Sequence, residues 1–140
     1  MNIDQVCTRD VVMVEESASM AAAAEIMRLC GVGTLLVTGN PPRTSEAVGI
    51  LTDRDLVLKA MTIGAGFGNK RVRDVMSPCP SFVSLGADIH DAFAIMRAGG
   101  LRRLIVTGED DGDRTIAGIL SLDDVVDALA AEFSGQPATG

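Results

Sequence analysis

Gly49-Ile50-Leu51-Thr52-Asp53-Arg54-Asp55 returns as Gly118-Ile119-Leu120-Ser121-Leu122-Asp123-Asp124, 69 residues further along the chain. The same offset aligns residues far from both stretches without a gap. Val6 falls on Val75, Ala23 on Ala92, Ile26-Met27-Arg28 on Ile95-Met96-Arg97, Gly31 on Gly100, and Val37-Thr38-Gly39 on Val106-Thr107-Gly108. The chain is a tandem repeat, and a repeat sets the architecture before any single element does.

Each heptad reads as strand, tight turn and helix. Gly49-Ile50-Leu51 ends an apolar run, and a helical pattern in Leu56, Lys59 and Ala60 follows Thr52. A hydroxyl and a carboxylate three residues apart then stand at a helix N-terminus, where free N–H groups and the helix dipole favour an anion. A ribose phosphate suits this geometry: the carboxylate accepts from vicinal hydroxyls, and the Thr or Ser hydroxyl and backbone donors take phosphate oxygens. The same residues also fit a capping box, which stabilises a helix by about 1 kcal/mol with no ligand. Gly49 and Gly118 precede the hydroxyls by three residues and permit another group to approach the backbone closely. On the residues alone, cap and ligand site both stand.

Around the heptads, 140 residues with 47% hydrophobic and 22% charged side chains fit one domain, or two small halves sharing a core. There is no Trp or Tyr, the formal net charge is -7 and the pI is near 4.5, so no nucleic-acid partner is expected. The start carries neither a basic region nor a long apolar core, and no stretch of 18 apolar residues occurs, so no leader and no membrane span are predicted. Cys7, Cys30 and Cys79 match neither a disulfide framework nor a metal motif, which places the chain in a reducing cytoplasm. Cys30, closing a helix, reads as a buried small hydrophobe.

Val11 to Val14 read as a strand. Met20, Ala23, Ala24 and Met27 then form one apolar helix face between a Ser19 cap and a Gly31 stop. Ile89, Ala92, Phe93 and Met96 repeat the device between Asp88 and Gly99-Gly100. Thr34 to Val37 and Leu104 to Val106 are buried middle strands, each leading into a polar hairpin loop, 40–46 and 109–114. The second loop is acidic but lacks the following helix and closing Glu of a calcium loop, so no metal site is predicted. Gly64, Gly66 and Gly68 follow a helix rather than a strand, which makes this join a flexible linker and not a dinucleotide loop.

His90, the only histidine, lies near the start of an amphipathic helix and reads as a surface residue. No Ser/His/Asp or Cys/His set can be assembled, so no catalytic residue is expected and the chain is not read as an enzyme. Arg54 and the pair Arg102-Arg103 are phosphate candidates, whereas Arg28 and Arg97 read as helix-surface salt-bridge residues.

Two Gly-h-h-(Thr/Ser)-x-x-Asp motifs (h, hydrophobic) stand in register. With them go Val72-Arg73-Asp74-Val75-Met76-Ser77-Pro78 and Leu101-Arg102-Arg103-Leu104-Ile105-Val106. From Ile3 to Glu132 this chain resembles a tandem pair of CBS (cystathionine-beta-synthase) domains of the standalone prokaryotic type. The resemblance implies an α/β (α+β) fold of two β-α-β-β-α repeats packed about a pseudo-twofold axis, with two clefts and pairing into a homodimer. The repeats fall at 1–62 and 72–133, the glycine-rich join is a linker at 63–71, and residues 134–140, without apolar periodicity, are expected to be a disordered tail.

The implied function is a cytoplasmic ligand sensor that requires no cofactor. It takes AMP, ADP, ATP or S-adenosylmethionine as regulatory ligand and acts on an effector protein in trans. Carried onto this chain, ribose and phosphate fall to Thr52 and Asp55 in one cleft and to Ser121 and Asp124 in the other. Gly49 and Gly118 provide close backbone approach, and Arg54, Arg102 and Arg103 face phosphate. The alternative is a ligand-free dimerisation or protein-interaction module. Two departures stand out. Leu35 and Leu104 occupy the region where many members carry Pro, and Gly33-Thr34 stands where repeat two has Arg102-Arg103, so the two clefts are electrostatically unequal.

Overall fold

A computed structural model describes residues 1–39, 47–78, 81–108 and 115–135. The hairpin loops expected at 40–46 and 109–114, Cys79, and tail residues 136–140 lie outside the described residues. The chain forms two units, Val11–Pro80 and a second built from Met1–Asp10 with Ser81–Gly140.

The Val11–Pro80 unit runs β1 (Met13–Glu15), α1 (Met20–Cys30), β2 (Thr34–Thr38), β3 (Ala47–Thr52), α2 (Asp53–Ile63), α3 (Val72–Val75) and β4 (Ser77–Pro78). Its sheet has the order β1-β2-β3-β4, parallel between β1 and β2 and antiparallel thereafter. The Ser19 hydroxyl accepts from the Ala22 N–H at 3.1 Å, and Gly31 ends α1 at φ 65°, a left-handed turn that glycine adopts without strain. Met20, Ala23 and Met27 are buried from α1 against Leu35, Val37 and Leu51 of the sheet.

The other unit repeats the plan with β5 (Phe82–Ser84), α4 (Ile89–Gly99), β6 (Arg103–Thr107), β7 (Ile116–Ser121) and α5 (Leu122–Ser134). Its sheet order is β5-β6-β7, and its register is that of the first sheet shifted by the repeat offset: Leu104 faces Leu120 as Leu35 faces Leu51. Ile89, Ala92 and Met96 are buried with Leu104, Leu120 and Val125. Each unit is thus the β-α-β-β-α arrangement expected from the sequence.

The leading segment of each repeat closes the sheet of the other. In the Val11–Pro80 unit, β4 pairs with β3 through Ser77 and Ile50, and Ser19 bridges Arg71. In the second unit the N-terminal residues take these places, with Thr8 bridging Ile119 and Asn2 bridging Asp88. Ile3 is fully buried there, a burial that stabilises by roughly 1.5–3 kcal/mol.

Three expectations change. Residues 63–71 are built rather than flexible: Ile63 still belongs to α2, Phe67–Asn69 form a single 3-10 turn, and Phe67 packs against the core of the Val11–Pro80 unit. An apolar anchor on a short glycine-punctuated segment suffices to hold it. Cys30 is exposed, because it is the last residue of α1 and the chain turns away at Gly31. Ser134 and Gly135 belong to the end of α5, as its final residue and its C-cap, rather than to a tail.

Candidate functional site

Thr52 and Ser121 are the N-caps of α2 and α5, which sets both motifs at strand-to-helix turns. The Asp55 N–H donates to Thr52 Oγ1 at 3.2 Å, and the Asp124 N–H donates to Ser121 Oγ at 3.1 Å. The copies then diverge. The Thr52 N–H donates to Asp55 Oδ2 at 2.9 Å and completes a capping box, whereas no bond from the Ser121 N–H to the Asp124 carboxylate forms among the described residues. Both carboxylate residues are half-buried.

The capping contribution is directly testable. Thr52→Ala removes a hydroxyl that satisfies an orphan donor and should lower stability by about 1 kcal/mol in urea denaturation, with an unchanged m-value.

Gly49 and Gly118 both admit a close neighbour, and in each unit that neighbour is the protein's own chain. A Cβ on Gly118 would stand 2.5 Å from the Thr8 carbonyl oxygen and 3.3 Å from Cys7 Sγ. On Gly49 it would stand 2.5 Å from Met76 Sδ and 2.8 Å from the Ser77 carbonyl oxygen. The Cys7 thiol is half-buried, and burial pushes its pKa up.

The arginines are distributed unevenly. Arg54 is exposed in the first turn of α2, flanked by Asp53 and Asp55. Arg103 is half-buried at the start of β6, and Arg102 lies just before it, its guanidinium 4.0 Å from the exposed carboxylate of Asp123. At the positions equivalent to Arg102 and Leu122 the other unit has Gly33 and Asp53, and a Cβ on Gly33 would stand 2.8 Å from Asp53 Oδ2. Beside Arg102 a cavity of about 310 Å³ opens between α4 and the start of α5, with Phe93, Met96, Leu101 and Leu122 as apolar wall and Arg97 on its lining. Arg97 is the one residue here that sequence reasoning assigned elsewhere. The signal it missed was the absence of an acid on the same helix face, since Arg28 pairs with Glu25 whereas the position equivalent to Glu25 is Ala94.

His90 is exposed, with Nε2 3.0 Å from Glu132 Oε2, and is remote in role from either motif. No group of three or more His, Cys, Asp or Glu side chains among the described residues could hold a metal ion, and no helix among them is long and apolar enough to cross a membrane.

Comparison with known proteins places this geometry. The CBS domain profile matches residues 3–61 and again 72–131. An uncharacterized protein of Methanopyrus kandleri is 29% identical over 126 residues, which is 90% of this chain but 61% of that protein, so the chain spans under two-thirds of that relative. Among solved structures, a CBS-domain containing protein from Agrobacterium tumefaciens is 30% identical with a TM-score of 0.68, covering 86% of this chain and 85% of that one. A CBS domain protein from Pyrobaculum aerophilum, complexed with AMP, has a TM-score of 0.75 at 20% identity over 96% of this chain and 99% of that one, a likeness of fold. Two matched repeats covering most of the sequence, each folded as β-α-β-β-α with its Gly-h-h-(Thr/Ser)-x-x-Asp turn at a helix N-terminus, make this chain a member of the CBS domain family, a tandem pair.

Proposed function

We propose that the chain is a regulatory module that binds an adenosine-containing ligand, AMP, ADP, ATP or S-adenosylmethionine, at its Gly-h-h-(Thr/Ser)-x-x-Asp turns. It acts without catalysis, as a cytoplasmic homodimer, on an effector protein in trans. The observation that carries this reading is the pair of motif carboxylates at strand-to-helix turns, each beside a capping hydroxyl, in a fold whose Pyrobaculum aerophilum representative is complexed with AMP. The carboxylate accepts the ribose hydroxyls, and the hydroxyl, free N–H groups and arginines receive phosphate. A bound ligand shifts the module between states only by its difference in affinity for them.

A second reading, a ligand-free interaction module, draws on α2. That helix buries no residue and leaves Val57, Leu58 and Met61 exposed, at 61%, 53% and 81%, an apolar surface of the kind that marks an interface.

Isothermal titration calorimetry against the four ligands separates the readings. At least one ligand should bind with micromolar affinity, and Asp55→Ala together with Asp124→Ala should weaken it about tenfold or more, about 1.4 kcal/mol of lost binding. Folded dimeric protein that evolves no heat with any of the four would give the interaction module the stronger claim.

A further inference from the structure

The last helix carries an apolar seam that its counterpart lacks. Along α5, Leu122, Val126, Leu129 and Phe133 recur at spacings of 4, 3 and 4, which keeps them on one stripe of the helix. The buried residues of α5, Val125 and Ala128, lie off this stripe. Val126 and Phe133 are 49% and 96% exposed, and Leu122 and Leu129 are half-buried. At the equivalent positions the other unit has Asp53, Val57, Ala60 and Gly64, the last being the C-cap of α2, so the seam belongs to one repeat alone.

The seam has a knob at one end and a hole at the other. Phe133 stands out from the last turn, and Leu122 in the first turn borders a cavity of about 310 Å³, walled also by Phe93, Met96 and Leu101. Roughly 16 Å of helix separates the two ends, so the knob cannot fill the hole of its own chain. Charge matches shape. Arg97 and Arg102 stand on the cavity lining, whereas α5 carries Asp123, Asp124, Asp127 and Glu132 and no Lys or Arg. Helices α1 and α4 each place an arginine, Arg28 and Arg97, in the last turn, at the negative end of the helix dipole, and α5 has none there.

We infer that α5 packs antiparallel against α5 of a second copy about a twofold axis, with Phe133 of each copy seated in the cavity of the other. One register pairs every residue of the seam: Leu122 faces the partner's Phe133, and Val126 faces the partner's Leu129. A parallel pair would set Phe133 against Phe133 and leave both cavities empty. The antiparallel seating also brings the end of α5 that lacks a cation onto Arg97 and Arg102 of the other copy. The inference rests on the homodimer of the proposed function and is independent of its ligand.

The test is sedimentation equilibrium of the full chain at micromolar concentrations, where the wild type should be a dimer. Phe133→Arg sets a cation against Arg97 and Arg102 and should raise the dissociation constant about tenfold or more. The position is almost wholly exposed, so the change acts on association and not on folding. Met61→Arg, at an 81% exposed position of α2, should leave the constant within about twofold. Adding Arg97→Glu to Phe133→Arg in one chain should tighten the dimer again by about fivefold or more, because the introduced acid and cation face each other across the twofold axis. A dimer that Phe133→Arg leaves intact, or that the added Arg97→Glu fails to tighten, overturns the inference while the homodimer stands. A wild-type chain that stays monomeric overturns both, whatever the calorimetry shows of nucleotide binding.

Discussion

Leu120→Ala should destabilise the chain by about 3 kcal/mol and lower its melting temperature by about 10 °C. Leu120 is fully buried on β7, opposite Leu104, and packs among Ile89, Met96 and Val125. Removing three carbons there forfeits the transfer free energy of the lost atoms and leaves a cavity that a close-packed core closes only in part. The control is Leu29→Ala, 69% exposed on α1, which should change stability by no more than about 0.5 kcal/mol. Differential scanning calorimetry of both variants checks the pair. Equal effects would mean that Leu120 is not in the core described here.

Gly118→Ala should cost about 2–3 kcal/mol, although a Gly→Ala change in compatible backbone usually stabilises by about 0.4–1 kcal/mol. The new methyl group would stand 2.5 Å from the Thr8 carbonyl oxygen, a backbone atom that cannot rotate aside. That oxygen accepts from the Ile119 N–H at 2.9 Å, and the Thr8 N–H donates to the Ile119 carbonyl at 2.9 Å, so making room breaks both bonds of the bridge. The loosened segment also carries Ile3, fully buried in the same core.

Gly49→Ala should cost less than Gly118→Ala, because the nearest obstacle there is the flexible Met76 side chain, with the Ser77 carbonyl oxygen next at 2.8 Å. Urea denaturation should show the ranking as a midpoint drop of about 1 M or more for Gly118→Ala, given slopes of about 1–3 kcal/mol/M. A Gly118→Ala midpoint equal to wild type would show that Thr8 does not seat on β7.

These two residues show how far the sequence carried. The period of apolar residues placed Met20, Ala23 and Met27 and their counterparts Ile89, Ala92 and Met96 in the cores, and the caps Ser19 and Asp88 and the stops Gly31 and Gly100 fell where side chains and φ require them. The buried stripe is narrower than read, since Ala24 is exposed and Phe93 is half-buried beside the cavity. Gly49 and Gly118 were legible as points of close approach, but the approaching groups, Met76-Ser77 and Cys7-Thr8, were not. Nor was the difference between Asp55, which closes a capping box, and Asp124, which does not, because both fit the same pattern of spacing.

The repeat and the family were legible as a 69-residue offset in the sequence, and the β-α-β-β-α order and the helix limits follow from hydrophobic period, capping and turn chemistry, which act between neighbours within about four residues. Which segment closes which sheet depends on contacts between residues distant in the chain, such as Ile50 with Ser77 and Thr8 with Ile119, and local preference is silent on them. The same holds for the charge around each turn. Arg97, Arg102 and Leu122 meet at one cavity only because α4, β6 and α5 fold together, whereas Asp53 comes to rest against Gly33 in the other unit. Packing, and not spacing, makes one of two equal motifs a full capping box and the other a cap by its hydroxyl alone.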